Sequence, residues 1–352
     1  MRGLRVAYAL RVFPKLSETF IVGELAELRR RGAEVLILSL ERQREELRHA
    51  TVAAAGLDVA TEYDPGRFDE AVARFRPHLV HAHFATEATA VARELARRHD
   101  LPYTFTAHGY DIFRKPPGDF AARAEAASAL VTVSEANAEH IARTFAVPRG
   151  KLHVIPCGID LDVFRPGDDP DPRLVVAVAR LNPVKRLDVL LDACALLRDR
   201  GVDFRCVVVG EGPSRPELEE QHRRLGLGGL VELRGAAEQA EVVRWWRRAG
   251  VAVLSSEREG MPVCLMEAAA SAVPAVAPRV GGIPELVVDG GTGLLDPALD
   301  PRALADALER LLRDRALAAR LGRAARARAE ERFSVARQVD DLGRIWAEAI
   351  PA

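Results

Sequence analysis

The chain has 352 residues, of which 48% are hydrophobic and 29% are charged, and its formal net charge at pH 7 is −1. These values indicate a globular protein of two domains, and they exclude a strong overall attraction to nucleic acid or to an anionic membrane. The sequence has no C-x-x-C metal spacing, no apolar run of membrane-spanning length and no signal peptide at its first residues. We therefore expect a cytoplasmic protein that binds no nucleic acid and keeps its cysteines reduced.

The first half of the chain alternates strand-like and helix-like segments. Short apolar runs typical of buried strands cover residues 4–10, 34–40, 78–84, 103–107 and 130–133. Stretches that predict helices cover residues 21–31, 87–98, 121–127 and 135–145. Strands and helices that alternate in this way predict a parallel, doubly wound sheet.

A cluster of proline, aspartate and glycine at residues 162–172 predicts a linker, after which the alternation restarts. Predicted strands cover residues 174–179, 204–209, 231–233, 251–254, 275–277 and 293–295, and predicted helices cover residues 186–200, 216–225 and 239–249. The fold class is therefore α/β, with two doubly wound Rossmann-like domains that face a central ligand-binding cleft.

The last part of the chain is predicted to be helical. Residues 313–332 carry arginine on several faces, which favours a solvated helix and leaves contact with a membrane surface as the alternative. Residues 335–349 form a final helix that carries Trp346, whose apolar bulk we expect to pack on another element.

Two glutamates, Glu259 and Glu267, are the most informative residues of the sequence. Glu259 falls in the loop after a predicted strand, and Glu267 falls about one turn inside the next helix, for which Pro262 suits the first turn. A helix N-terminus favours an anion, while carboxylates accept hydrogen bonds from sugar hydroxyls. A nucleotide-sugar combines both features, because it joins a diphosphate to two sugar rings.

Arg180 and Lys185 follow the predicted strand at residues 174–179. A diphosphate leaving group gains charge as its bond breaks, and the arginine fork and the lysine point charge suit its oxygens. A solvated basic loop is the alternative, although lysine is rare here, with only four among 50 basic residues. Since two cations neutralise the leaving group, we expect no catalytic metal.

Glycine turns and histidines supply weaker candidates. Gly210 and Gly212 follow a strand and could approach a phosphate, although a plain tight turn explains them equally well. His108 follows another strand and could donate a hydrogen bond to a sugar hydroxyl or serve only a structural role. His81 and His83 are expected to face opposite sides of their strand, which excludes a metal pair by spacing.

The loop after the first strand contains Ser17, Glu18 and Thr19. Ser17 or Thr19 is expected to cap the following helix, and contact with an acceptor is the alternative. Glu18 and Asp111 are carboxylates of the first domain that remain candidates on the acceptor side, although neither is identifiable as a nucleophile.

Together these residues resemble the family-four retaining glycosyltransferases of the glycosyltransferase-B fold, and the resemblance covers nearly the whole chain. Its most specific part is the string from Glu259 to Glu267, followed by Arg180 with Lys185 and by His108. The loop at residues 13–20 resembles members that build exopolysaccharide or colanic-acid-type chains.

The resemblance implies a role for each motif. Arg180 and Lys185 would bind the donor diphosphate, Glu267 the ribose, and Glu259 the donor sugar. His108 would touch that sugar near the reacting centre. The other residues that the resemblance places around the donor, with the base near residues 233–235, are Gly210, Gly212, Arg234, Gly235, Gly260, Met261 and Pro262.

The resemblance also implies an acceptor domain at residues 1–165, a donor domain at 172–332 and a final helix at 333–352 that crosses back to the first domain. The implied reaction is retaining transfer from a UDP- or GDP-linked sugar to a saccharide or lipid-linked acceptor in exopolysaccharide or glycolipid synthesis, without cofactor or metal. We expect a cytoplasmic location or the inner face of the membrane. The alternatives are an epimerase or phosphorylase of the same fold and a non-catalytic subunit that binds sugar nucleotides.

Overall fold

The computed structural model describes residues 1–15, 17–43, 50–296 and 299–351, so Leu16 of the 13–20 loop lies outside the described residues. The chain forms two compact units. The first consists of Met1–Gly158 with Val335–Ala352, and the second consists of Ile159–Ser334. Each unit holds one parallel sheet with helices between its strands, which confirms the predicted α/β class with two Rossmann-like domains.

The described part of the first unit contains a seven-stranded sheet with the strand order β3-β2-β1-β4-β5-β6-β7. Its strands are β1 (Arg5–Phe13), β2 (Glu34–Arg42), β3 (Thr61–Glu62), β4 (Leu79–His83), β5 (Tyr103–Ala107), β6 (Ala129–Thr132) and β7 (Leu152–Val154). Its helices before the second unit are α1 (Thr19–Arg30), α2 (Ala50–Ala54), α3 (Phe68–Phe75), α4 (Glu87–Arg98), α5 (Phe120–Ala126) and α6 (Glu135–Phe145).

The second unit repeats this winding with six described strands in the order β10-β9-β8-β11-β12-β13. Its strands are β8 (Asp171–Val178), β9 (Arg205–Val209), β10 (Val231–Gly235), β11 (Ala249–Val253), β12 (Ala275–Pro278) and β13 (Gly293–Asp296). Its helices are α7 (Leu187–Asp199), α8 (Arg215–Arg224), α9 (Gln239–Arg248), α10 (Val263–Ala270), α11 (Ile283–Leu286), α12 (Pro301–Arg313) and α13 (Arg315–Arg332).

In both sheets the first strand, β1 or β8, lies in the interior of the sheet. The chain adds strands on one side of it and then on the other, so the direction of winding reverses beside that strand. In the second unit β8 pairs with β9 on one side and with β11 on the other, and all these pairs are parallel. The central strands are largely buried on both faces, as parallel sheets require, although β4 and β5 of the first unit also carry buried histidines and threonines. The gap between the loops that follow β8 and β11 is therefore the topological switch point, where open α/β sheets bind ligands.

The proline-rich stretch at residues 162–172 belongs to the second unit. Strand β8 already begins within it, at Asp171. Phe164 is buried, and its carbonyl accepts a hydrogen bond of 2.8 Å from Arg326 Nη1 of α13. Proline, aspartate and glycine therefore mark a packed connection here. The acceptor and donor roles of the two units stay predictions.

Helix α14 (Val335–Ala349) returns the chain to the first unit. Trp346 is fully buried, and its Nε1–H donates to Thr104 Oγ1 of β5 at 3.2 Å. Arg31, at the end of α1, forms an ion pair with Asp340 of this helix. Among the described residues, every helix is too short or too polar to cross a bilayer.

Because Trp346 fills a fully buried position, Trp346→Ala should lower the free energy of unfolding of the first unit by about 3–5 kcal/mol through lost contacts and a cavity. Hydrogen exchange followed by segment in increasing urea measures this quantity. Glu348→Ala, on the exposed face of the same helix, is the matched control and should change it by less than about 0.5 kcal/mol. Equal effects of the two substitutions would contradict the packing described for α14.

Candidate functional site

An ion pair lies at the switch point of the second sheet. Lys185 ends a short 3-10 turn after β8, Pro183–Lys185, and Glu259 lies in the loop after β11. Lys185 Nζ is 2.5 Å from Glu259 Oε1. The structure thus joins two residues that the sequence had placed in separate motifs.

Backbone contacts hold the two loops together beneath this pair. Ser255 Oγ donates to the carbonyl oxygen of Lys185 at 2.9 Å, and the Glu257 amide donates to the carbonyl oxygen of Val184 at 2.8 Å. Both contacts link the loop after β8 to the loop after β11. The ion pair is therefore built on a fixed backbone frame and needs little reorganisation to meet a ligand.

The Lys185–Glu259 pair keeps access to solvent. The exposed fractions of the two side chains are 21% and 11%. Burial opposes the lysine charge, but the Glu259 carboxylate outweighs it, so the pKa of Lys185 lies above its usual value and the ammonium stays charged. Arg180 is exposed, and its side chain forms no hydrogen bond or ion pair within the part of the chain that the structure describes.

Glu267 lies one turn inside α10 and is almost fully buried. Its Oε2 accepts a hydrogen bond of 3.2 Å from Trp246 Nε1. Burial raises the pKa of Glu267 to about 7, and the Trp246 bond opposes this shift only in part. A buried carboxylate with one donor keeps free acceptor capacity for further hydroxyl groups.

Cys264 shows that these charges converge. Burial raises the pKa of its thiol to about 12, and the charges of Lys185, Glu259 and Glu267 also act on it. The two glutamates and the lysine therefore all lie within electrostatic reach of Cys264, in the first turn of α10. Pro262 is the N-cap residue of this helix, so the prediction that it occupies the first turn is wrong.

Glycine is required where other loops pack against this region. Gly281 has a left-handed φ of +51°, and a Cβ there would lie 1.8 Å from the carbonyl oxygen of Glu259. The next amide, that of Gly282, donates to the carbonyl oxygen of Gly260 at 3.1 Å. Gly260 and Met261 are themselves buried, so their backbone is fixed from both sides.

Gly210 and Gly212 pack against the loop that carries Arg180. A Cβ at Gly210 would lie 1.8 Å from the carbonyl oxygen of Ala179, and a Cβ at Gly212 would lie 2.5 Å from that of Leu181. Close approach of two backbones therefore accounts for both glycines. A contact with a phosphate at these positions stays a prediction.

Arg234 and Gly235 lie on β10, the edge strand two places from β8. Arg234 is paired with Glu232 and Glu241, both at 3.0 Å. Gly235 accepts a hydrogen bond of 2.7 Å from the Gly210 amide. The recorded contacts of Arg234 therefore do not include the Lys185–Glu259 pair, and a role of this strand near a base stays a prediction.

In the first unit, His108 follows β5 and is buried, with 6% of its surface exposed. Asp111 accepts the amide hydrogens of His108, at 2.8 Å, and of Ala85, at 2.6 Å, one on each carboxylate oxygen. Burial raises the pKa of Asp111 to about 7, and these amide bonds oppose the shift. Asp111 is fully enclosed, so it fixes the His108 backbone and is not presented to an acceptor.

The prediction that His81 and His83 face opposite sides is wrong. Residues two apart in a strand point to the same face, and the two rings lie on that face with centroids 5.0 Å apart. Together with Glu24 of α1, they form a buried group whose ligand-type atoms lie within 4.8 Å of one another. His83 also contacts His108, with 3.1 Å between Nδ1 and Nε2.

The expected cap of α1 is also wrong. The helix begins at Thr19 with Glu18 as its N-cap residue, and no side chain makes the capping hydrogen bond. Glu18 is instead paired with Lys15, whereas Ser17 is exposed. The N-cap side chain is thus engaged by Lys15 and does not cap the helix, and contact of Ser17 and Thr19 with an acceptor stays a prediction.

Sequence reasoning missed Glu24 and Trp246. Glu24 was detectable, because it is a carboxylate on the buried face of α1, one turn after Phe20 and Ile21. A charge on an apolar helix face requires buried partners. Trp246 had no comparable signal, since only the folded chain brings it to Glu267.

Two family models match the chain. The model described as glycosyl transferases group 1 matches residues 159–328, and the model described as glycosyltransferase family 4 matches residues 17–163.

The relatives carry glycosyltransferase names. The D-inositol 3-phosphate glycosyltransferase of Streptomyces avermitilis is 36% identical over a region that covers 58% of this chain and 48% of the relative. The chain thus spans about half the length of that relative. WcaL of Escherichia coli K12 is named for colanic acid biosynthesis. It is 31% identical over a region that covers 81% of this chain and 73% of the WcaL chain.

A solved structure shares the fold. HepE from Anabaena, determined in complex with UDP, has a TM-score of 0.80 at 18% identity and covers 98% of this chain and 100% of its own. The two family models and WcaL, which is matched over most of its length, indicate the same family. The fold shared with HepE agrees with this. The chain therefore belongs to the glycosyltransferases that these two models describe, family 4 in its first part and group 1 in its second.

Proposed function

We propose that the chain is a retaining, metal-independent glycosyltransferase that moves a sugar from a nucleoside diphosphate to a saccharide or lipid-linked acceptor. The observation that carries the proposal is the Lys185–Glu259 ion pair at the switch point of the second sheet, with Glu267 beside it. These groups match the diphosphate, the transferred sugar and the ribose of one donor.

Lys185 is suited to the diphosphate. Its ammonium has three hydrogens, of which one serves Glu259, so two remain for phosphate oxygens. The exposed guanidinium of Arg180 supplies a second cation with a fork that suits two oxygens. Two protein cations offset the charge that develops on the leaving group, which supports a reaction without a metal or another cofactor.

The two glutamates are suited to hydroxyl groups. Glu259 keeps one carboxylate oxygen beyond the one paired with Lys185, and this oxygen can accept from the transferred sugar. Glu267 has a single recorded donor, Trp246, and can accept from the ribose. Neither glutamate needs to act as a nucleophile in this assignment.

The carboxylates of the first unit support a front-face reaction without a protein nucleophile. Glu18 is held by Lys15, and both oxygens of Asp111 accept backbone amides. The leaving diphosphate is then the base that assists deprotonation of the acceptor hydroxyl. His108 would contact the transferred sugar.

The base of the donor is proposed to be uracil. HepE, which shares the fold, was determined with UDP and with UDP-glucose. The acceptor is proposed as a saccharide or lipid-linked saccharide of surface polysaccharide synthesis, in keeping with the name of WcaL.

We also propose peripheral contact with the inner face of a membrane. Helix α13 offers exposed arginines for it, such as Arg315, Arg320 and Arg323. Two others are committed to the fold, since Arg326 donates to Ala270 and Arg328 donates to Leu286.

Removing single charges tests the donor site. Lys185→Met and Glu267→Gln keep the shape of each side chain, and each should weaken UDP binding roughly tenfold to a hundredfold, the effect of one lost charge-assisted hydrogen bond. Calorimetric titration with UDP gives the dissociation constants.

Lys151→Met is the matched control, because it removes a lysine of the first unit. It should leave the UDP affinity unchanged. If both site variants bind UDP as tightly as the control does, the assigned donor site is wrong.

The raised pKa of Glu267, about 7, predicts a pH dependence of donor binding. The ionised carboxylate accepts hydroxyl hydrogen bonds better than the acid, and its fraction rises with pH. Affinity for UDP-glucose, whose own charge is constant in this range, should therefore rise by up to roughly tenfold between about pH 6 and pH 8. Calorimetry at several pH values measures it, and Glu267→Gln should give a flat profile. A flat wild-type profile would refute the role given to this carboxylate.

A further inference from the structure

A buried chain of hydrogen bonds leads from α1 to His108 in the first unit. Glu24 Oε1 is 3.1 Å from His83 Nε2, and His83 Nδ1 is 3.1 Å from His108 Nε2. Glu24 and His83 are almost completely buried, with exposed fractions of 0% and 1%. Water therefore cannot substitute for a missing donor or acceptor along this chain.

Donors surround the Glu24 carboxylate. Tyr8 Oη–H donates to Oε1 at 2.6 Å, and Gln338 Nε2–H donates to Oε2 at 2.6 Å. The orientation of the Gln338 amide is fixed, because its own Oε1 accepts the Gly158 amide hydrogen at 2.8 Å. Burial raises the pKa of Tyr8 well above its usual value, so the phenol keeps its proton.

These donors determine where the histidine protons lie. An ionised Glu24 can only accept, so His83 must carry its proton on Nε2 and leave Nδ1 bare. His108 must then donate from Nε2 to that bare nitrogen. Its remaining nitrogen, Nδ1, keeps a lone pair and has no recorded partner among the described residues.

The surroundings keep His108 neutral and oriented. Its ring packs against Phe20 and Phe84, with centroid distances of 5.0 and 4.4 Å. Burial is the main cause that lowers the pKa of His108 well below its usual value, and any positive charge on His83 would lower it further. A neutral ring with a bare Nδ1 accepts a hydrogen bond there and cannot donate one.

We propose that Glu24 and His83 are positioning residues that hold His108 as the Nε2–H tautomer, so that its Nδ1 accepts a hydrogen bond from a hydroxyl of the reacting sugar. The contact with a sugar rests on the proposed function, whereas the tautomer does not. This assignment reverses the expectation that His108 donates.

A metal ion held by Glu24, His81 and His83 is the competing explanation of the same cluster. Both ring nitrogens of His81 already have partners, Thr104 Oγ1 at 2.8 Å and Thr106 Oγ1 at 3.2 Å. Glu24 and His83 are likewise satisfied by the bonds described above. Hydrogen bonds therefore explain every polar atom of the cluster, and a metal would have to displace several of them.

Nuclear magnetic resonance of the full chain with ¹⁵N-labelled histidine reads the tautomer directly, and His108→Asn assigns the signals of that ring by their loss. We expect His108 to carry its proton on Nε2 in the wild-type protein. A proton on Nδ1, a doubly protonated ring at neutral pH, or one bound metal ion per chain by elemental analysis would overturn the proposal.

Glu24→Gln makes the test sharper. The Gln338 amide is fixed and still donates to one side, whereas the Tyr8 hydroxyl on the other side can rotate and accept. The new amide therefore turns its oxygen toward Gln338 and its NH₂ toward Tyr8 and His83. His83 then has to accept at Nε2, and the proton positions of both His83 and His108 invert. Tyr8→Phe also removes a bond to Glu24 Oε1 but keeps the carboxylate, so it should preserve the wild-type tautomers. An unchanged tautomer in a folded Glu24→Gln variant would overturn the proposal.

Release of UDP from UDP-glucose tests the consequence for the reaction. Glu24→Gln should lower kcat roughly tenfold, the effect of losing one hydrogen bond that is stronger in the transition state than in the bound substrate, with little change in KM. If the tautomer inverts but kcat does not fall, the contact of His108 with the sugar is wrong while the tautomer assignment stands. If UDP-glucose is not turned over by the wild-type protein, only the resonance measurement judges this proposal.

Discussion

Parallel pairing of neighbouring strands is the constraint on which the candidate site depends. Each connection must run back over one face of the sheet before the next strand begins, so the loops that directly follow the strands all gather at one edge of the sheet. With β8 in the middle, the loops after β8 and β11 turn away from each other, and Lys185 and Glu259 meet in the gap. The short apolar strands are thus the reason that two distant motifs form one ion pair.

The first unit uses the same winding to enclose a polar network. Glu24 of α1, His83 of β4 and Gln338 of α14 meet behind His108. Because every donor in this network has an acceptor, the cost of burying its charge is offset. The final helix therefore does more than cover apolar surface, since it supplies the amide that orients the Glu24 carboxylate.

The sequence predicts the alternation of strands and helices well, because buried parallel strands read as apolar runs. It also singles out Glu259, Glu267 and Lys185, since charges at strand ends and helix starts are conspicuous. It does not predict the Glu24 network, whose partners His83 and Gln338 lie 59 and 314 positions away along the chain. The two-residue period of a strand predicts that His81 and His83 share one face. No comparable rule predicts that α1 begins at Thr19 without a side-chain cap.

The central claim is that a nucleoside diphosphate binds at the switch point of the second sheet. Hydrogen–deuterium exchange of the full chain, with and without saturating UDP or GDP, tests it most directly. The loops after β8, β11 and β12, at residues 179–186, 254–262 and 279–282, should become protected together by at least one of the nucleotides. Protection confined to other segments, or none with either nucleotide, would contradict the claim.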